Sequence, residues 1–156
     1  MTVTIQTSEL LFDIRNKSHL EVASIENLDR RYAAEAGTEK NEEILRCIIE
    51  AEARIRLMCE RFLEKVTEGE AISDLPSIVP ESYTYQFVSN ARRQDCRAEI
   101  TANTIHSAIV NLALSTFYVS VNQMEMAKTH DALATSRVQL LEKMLFEKLP
   151  PVLPQY

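Results

Sequence analysis

Glycine is almost missing from this chain: 2 of 156 residues. Two glycines cannot build GxGxxG, and GxxxxGK[ST] and GxSxG are absent, so the usual nucleotide loops and the nucleophile elbow are excluded. With only 5 prolines as well, the tight turns of a many-stranded all-β fold have no material. Clusters of basic residues are also lacking. There are 17 basic against 23 acidic residues, and the largest basic groupings are the pairs Arg30-Arg31 and Arg92-Arg93. A surface that grips nucleic acid needs more than that, although an acidic protein can surround DNA while touching it loosely. The three cysteines, Cys47, Cys59 and Cys96, show no CxxC or Cys/His spacing, so neither a disulfide framework nor a zinc site is expected. Cys47 and Cys59 share a predicted helix and stand roughly 18 Å apart along it. All three read as reduced, buried small hydrophobes. No run approaches the ~20 apolar residues of a membrane span, and the first residues lack the basic start and apolar run of a signal peptide. A cytoplasmic, reducing location is the expectation.

What is present is a chain with 46% apolar and 26% charged residues and helical spacing along most of its length. The expectation is a single all-α domain, a five-helix bundle with one short isolated strand. A short helix is predicted over 7–16, with Thr7 or Ser8 as its cap and Leu10, Leu11 and Ile14 on one face. A second is predicted over 21–36, with Ser18 and Glu21 at capping-box spacing and Gly37 as a left-handed terminator. The third, over 39–68, carries an unbroken stripe: Ile44, Ile48, Ala51, Ile55, Cys59, Phe62 and Val66. Glu42–Arg46, Glu50–Arg54 and Glu52–Arg56 lie away from it, acid first, and read as a solvated face. Residues 69–94 form a proline-containing break around Pro76 and Pro80, with Tyr83, Tyr85 and Phe87 alternating with polar neighbours as in a strand. Residues 95–149 read as a helical hairpin turning at Asn122-Gln123. Its first helix is central and apolar nearly all round, leaving Ser107, Asn111 and Ser115 as a narrow polar stripe. Residues 150–156 are a proline-bounded tail.

Sites for chemistry are not evident. The residues three before His19, His106 and His130 are Asn16, Asn103 and Ala127, so the Glu-x-x-His pairs of a di-metal bundle are missing. Glu99 and His106 share a helical face, but two ligands do not make a metal site. His106 reads as a core or interface histidine, and His130-Asp131 as surface polarity. No catalytic residue, cofactor, metal or small-molecule substrate is expected.

Three features are unusual for a monomeric bundle: the lone aromatic strand, Arg92-Arg93 before the central helix, and the apolar tail. A lone strand leaves backbone groups that need a partner. Tyr83, Tyr85, Phe87, Arg92, Arg93, Leu153 and Tyr156 are therefore the candidate interface residues, with the strand pairing between subunits and the tail docking on a neighbour. The order of elements, with a long amphipathic helix ending near Phe62-Leu63, a proline loop, a Tyr-rich strand, Arg92-Arg93 and the run His106-x-x-Ile109-Val110-x-x-Ala113-Leu114-x-x-Phe117, resembles small all-α head–tail connector (adaptor) proteins of tailed bacteriophages and prophages of Bacteroidetes. That resemblance implies a ring-forming virion component acting by oligomerisation, with itself and a portal or tail protein as partners and DNA passing through the lumen. The residues alone leave a second reading open: a cytoplasmic helical protein-binding or regulatory module.

Overall fold

The computed structural model describes residues 1–72, 79–88 and 98–145. The chain starts with a strand, β1 (Thr2–Gln6), where Val3 and Ile5 point inward and Thr2, Thr4 and Gln6 outward. Helix α1 (Thr7–Val22) follows directly, six residues longer than the spacing predicts. Its first residue does not act as a cap. The buried Thr7 hydroxyl donates to the Pro80 carbonyl at 2.6 Å, which ties α1 to the segment before the aromatic strand. Ser18 and Glu21 form no capping box; both lie inside α1, and Ser18 Oγ accepts from the Ala36 N–H at 2.8 Å.

The predicted helix over 21–36 is split. Helix α2 (Leu28–Ala34) begins after Asn27, whose side chain accepts from the Arg30 N–H. Its last carbonyls are bonded by Lys40 Nζ, at 3.1, 2.7 and 2.9 Å to Tyr32, Ala33 and Glu35, where a cation also complements the helix dipole. Gly37 has φ −78, so the left-handed terminator expected there does not form. A 3₁₀ turn (Thr38–Lys40) leads into α3 (Asn41–Cys59). The predicted stripe is buried from Ile44 through Cys59, but the helix then stops. A second 3₁₀ turn (Glu60–Phe62) passes into a strand, β2 (Leu63–Glu68).

The aromatic strand β3 (Ser82–Phe87) is not isolated. It is the middle of a three-stranded antiparallel sheet ordered β1-β3-β2. The fold is predominantly helical, and the all-α expectation is corrected by this small sheet. Tyr83, Tyr85 and Phe87 join Val3 and Ile5 on its inner face. Helix α4 (Ala98–Ser120) runs through the core, with Ile105, Ile109, Val110, Leu114 and Phe117 fully buried. Asn122, at φ 60, makes the left-handed turn into α5 (Met124–Leu145). The bonds Asn111–His130 and Thr104–Met144 show that the hairpin is antiparallel. One apolar cluster extends from Val3 to Leu145. No helix among the described residues is long and apolar enough to cross a membrane.

Candidate functional site

The sequence-predicted interface divides in two. Tyr83, Tyr85 and Phe87 are buried within their own subunit, and both edges of β3 are already paired. They are core residues, and the expectation that this strand joins subunits is corrected: its partners, β1 and β2, come from the same chain. Arg92, Arg93, Leu153 and Tyr156 lie outside the described residues, as does Cys96.

Tyr85 also reveals a buried charge. Its hydroxyl donates to Glu52 at 2.8 Å. Glu52, on α3 and only 3% exposed, accepts two further bonds from Arg56, Nε and Nη2 each at 3.0 Å. Arg56 Nη2 reaches on to Glu68 of β2 at 2.9 Å. The pair predicted to lie on a solvated face instead braces the sheet against α3. Burial and the Glu52 carboxylate both push the Tyr85 phenol far above its ordinary value, so it acts only as a donor. Glu42–Arg46, by contrast, is a solvated pair at 2.6 Å.

His130 is not surface polarity. It is 3% exposed, between Asn111 Oδ1 on Nδ1 at 2.8 Å and the Glu21 carboxylate on Nε2 at 2.8 Å. Tyr118 OH donates to the same carboxylate at 2.8 Å. Asn111 Nδ2 donates to the Ser107 carbonyl at 2.7 Å, which fixes the amide with its oxygen toward the ring. Burial pushes the Glu21 carboxyl upward. The bonds from His130 and Tyr118, with the charges of His130 and Lys17, outweigh it and hold the carboxyl below its usual value. This cluster joins α1, α4 and α5, elements far apart in sequence. Cys47 and Cys59 are buried free thiols, pushed up by burial and then by nearby carboxylates to about 12 and about 11. Such thiols are poor nucleophiles and poor metal ligands.

Two surface grooves flank α1. His106 Nε2 bonds Asp13 at 2.7 Å, rather than meeting Glu99. Ser8, Glu9, Phe12, Asp13, Asn103 and His106 line a groove of about 430 Å³ between α1 and α4. On the other side of Phe12 a groove of about 530 Å³ is bounded by α1, α2 and the first 3₁₀ turn, with Tyr32, Glu35 and Glu39 on its walls. Phe12 is 67% exposed and Tyr32 63%, with Leu20 and Leu28 also exposed on these two helices. Four carboxylates, Glu9, Asp13, Glu35 and Glu39, line the two grooves against one guanidinium, Arg15. Asp13 and Glu35 are each bonded to a histidine, the latter to His19 at 2.8 Å. The geometry suits contact with another macromolecule better than enclosure of a small substrate. Large apolar side chains stand proud of two open, acid-rimmed grooves. Among the described residues, no three His, Cys, Asp or Glu side chains converge as a metal site. No family model matches the chain, and no curated protein or solved structure shows significant similarity to it.

Proposed function

We propose that this chain is a non-enzymatic assembly protein of a phage or prophage particle, a head–tail connector-like component that works by association with itself and with a portal or tail protein. The observation that carries the reading is the α1–α2 surface, where exposed Phe12 and Tyr32 flank acid-rimmed grooves. Exposed aromatic side chains are costly to leave in water and supply large contact area at low entropic cost. The occupant this face suits is a partner segment with an apolar side chain to pack on Phe12 and Lys or Arg beside it. The ordering of helices, aromatic strand and central helix supports the connector reading through the resemblance that it carries. The net charge of −6 favours loose passage of DNA over binding.

The test is copurification with a portal protein from the same genome, comparing wild type with Phe12→Ser/Tyr32→Ser. The double variant is expected to stay folded and lose the complex. Equal recovery of complex by both proteins would remove this face from the assembly. The alternative, a cytoplasmic helical protein-binding or regulatory module, would use the same face. It would be favoured if the chain bound no portal or tail protein while Phe12 remained essential for another partner.

A further inference from the structure

The sheet has two outer edges, and they are built differently. The edge of β2 is guarded: its register shifts between Leu63 and Lys65, and Glu64, Lys65 and Glu68 place charges along it. A bulge and charges are the ordinary means by which proteins keep a strand edge from pairing. The edge of β1 has neither. Thr2-Val3-Thr4-Ile5-Gln6 is uncharged, holds no proline, and keeps an unbroken register with β3.

The hydrogen-bond parity shows which backbone groups that edge presents. The register pairs Thr2 with Gln86 through Gln6 with Ser82. Phe87 N donates to the Met1 carbonyl and Thr7 N to the Glu81 carbonyl, each at 2.9 Å. Odd-numbered residues of β1 therefore bond β3, and Thr2, Thr4 and Gln6 turn their N–H and C=O groups away from it. Among the described residues no strand pairs with that side. The side chains of Thr2, Thr4 and Gln6 are exposed.

We propose that this edge is a joint between two copies of the chain: β1 of a second copy adds antiparallel to β1, with the two-fold axis at Thr4. In that register Thr4 faces its own counterpart and Thr2 faces Gln6 of the partner. Backbone groups of Thr2, Thr4 and Gln6 then find partners across the joint. Val3 comes opposite Ile5 of the other copy, so the apolar inner layer continues from one sheet into the next. A second copy is the occupant because the strand is self-complementary and carries no charge. Two chains of net charge −6 meet there without bringing like charges into contact. The purpose of the joint rests on the assembly reading, while its existence rests on the strand geometry alone.

Thr4→Pro tests it, removing within the subunit only the side-chain bond between Thr4 Oγ1 and Thr84 Oγ1 at 3.1 Å. The Thr4 N–H does not serve β3, so proline deletes an outward donor and leaves the β1–β3 ladder in place. Sedimentation velocity of the wild type is expected to show a dimer. Thr4→Pro is expected to weaken it at least about tenfold, the loss of roughly two backbone hydrogen bonds. A wild type that stays monomeric up to millimolar concentration, or a proline variant that dimerises as well, overturns the joint. Cysteine pairing tests the register independently of proline, in a Cys96→Ser background. At a hydrogen-bonded antiparallel pair the Cα atoms are about 5.5 Å apart, within disulfide reach. Thr4→Cys alone should cross-link. Thr2→Cys alone should not, because its own counterpart lies roughly 13 Å away, whereas a mixture of Thr2→Cys and Gln6→Cys should. Cross-linking of Thr2→Cys as efficient as that of Thr4→Cys would overturn the register. Portal binding through Phe12 is unaffected by these substitutions, so failure of the joint is distinguishable from failure of the assembly reading.

Discussion

Removing Glu52 asks how much of the stability of the sheet rests on one buried carboxylate. Glu52 accepts from Tyr85 OH at 2.8 Å and twice from Arg56 at 3.0 Å. Glu52→Ala leaves the Tyr85 hydroxyl buried without an acceptor and strips Arg56 of its bidentate partner. Breaking a buried pair by removing one member costs about 3–5 kcal/mol. The Arg56 side chain is 36% exposed and retains Glu68, so water and that carboxylate take up part of its loss. The expected cost is therefore about 3 kcal/mol, near the lower limit for buried pairs. Tyr85→Phe removes one bond to a charged group while Glu52 keeps Arg56, for about 1.5 kcal/mol, the low end for hydrogen bonds to charges. In Glu52→Ala/Tyr85→Phe the stranded hydroxyl is gone as well. The double variant should then be more stable than the sum of the singles predicts by about 1 kcal/mol, within the range for residues that share a partner. Urea unfolding monitored by circular dichroism measures all three against wild type, with the slope required to stay constant. A Glu52→Ala loss below about 0.5 kcal/mol, the range of ordinary surface changes, would refute the argument. So would additivity of the two single variants.

Ile109→Ala empties a fully buried position on α4 and should cost about 2–4 kcal/mol in the same assay; a surface-like loss would show that α4 is not the core helix. The Glu21 carboxyl is held below its ordinary value in the folded state, so its stabilisation is complete above the unfolded-state value and is lost as pH falls through the folded-state value. Glu21→Gln should flatten the acid limb of stability against pH, and an unchanged limb would count against the His130–Glu21 bond. Cys47 and Cys59 should react with a thiol reagent far more slowly in the native protein than in urea; equal rates would mean that α3 opens readily.

The helices are legible because their buried stripes are long. Ile44, Ile48, Ala51, Ile55 and Cys59 define α3 without tertiary information, and Ile105, Ile109 and Leu112 do the same for α4. The end of α3 is not legible, for a specific reason. Phe62 and Val66 continue the four-and-three stepping, yet Val66 lies in β2 opposite Tyr85. An apolar residue every third or fourth place suits a helix and, by coincidence, a helix followed by a turn and a strand. Thr2–Gln6 alternates as a strand does, but five residues gain strand character only from a partner, and β3 lies about 80 residues further along the chain. The aromatic alternation in β3 was sufficient to identify a strand. It did not say whether the strand lay at an edge or at the centre, and that distinction decides whether its tyrosines meet another subunit or the core.

The buried polar groups follow the same rule, because their partners are separated in sequence by distances that no local pattern spans. His130 finds Glu21 at a separation of 109 residues and Asn111 at 19. Taken alone, His130-Asp131 on a polar helix has no reason to be buried. The one local signal is Asn111, a polar residue amid the apolar faces of the most hydrophobic helix, since such a residue must be either solvated or bonded inside. The structure bonds it inside, to a histidine that needs Glu21 on its other nitrogen. Glu52 carries a similar signal: it is flanked by Ala51 and Ala53, next to the buried stripe rather than opposite it. A carboxylate at that angle remains in water only if nothing covers α3 there, and β3 does. These polar clusters hold the fold together, so the surface left for partners is where apolar groups remain exposed or strand edges remain unpaired. By that reasoning the surfaces proposed for partners are Phe12 with Tyr32 and the edge of β1, on the outer sides of β1, α1 and α2, while Val3, Ile5, Leu10 and Ile14 on the inner sides of β1 and α1 are buried in the core.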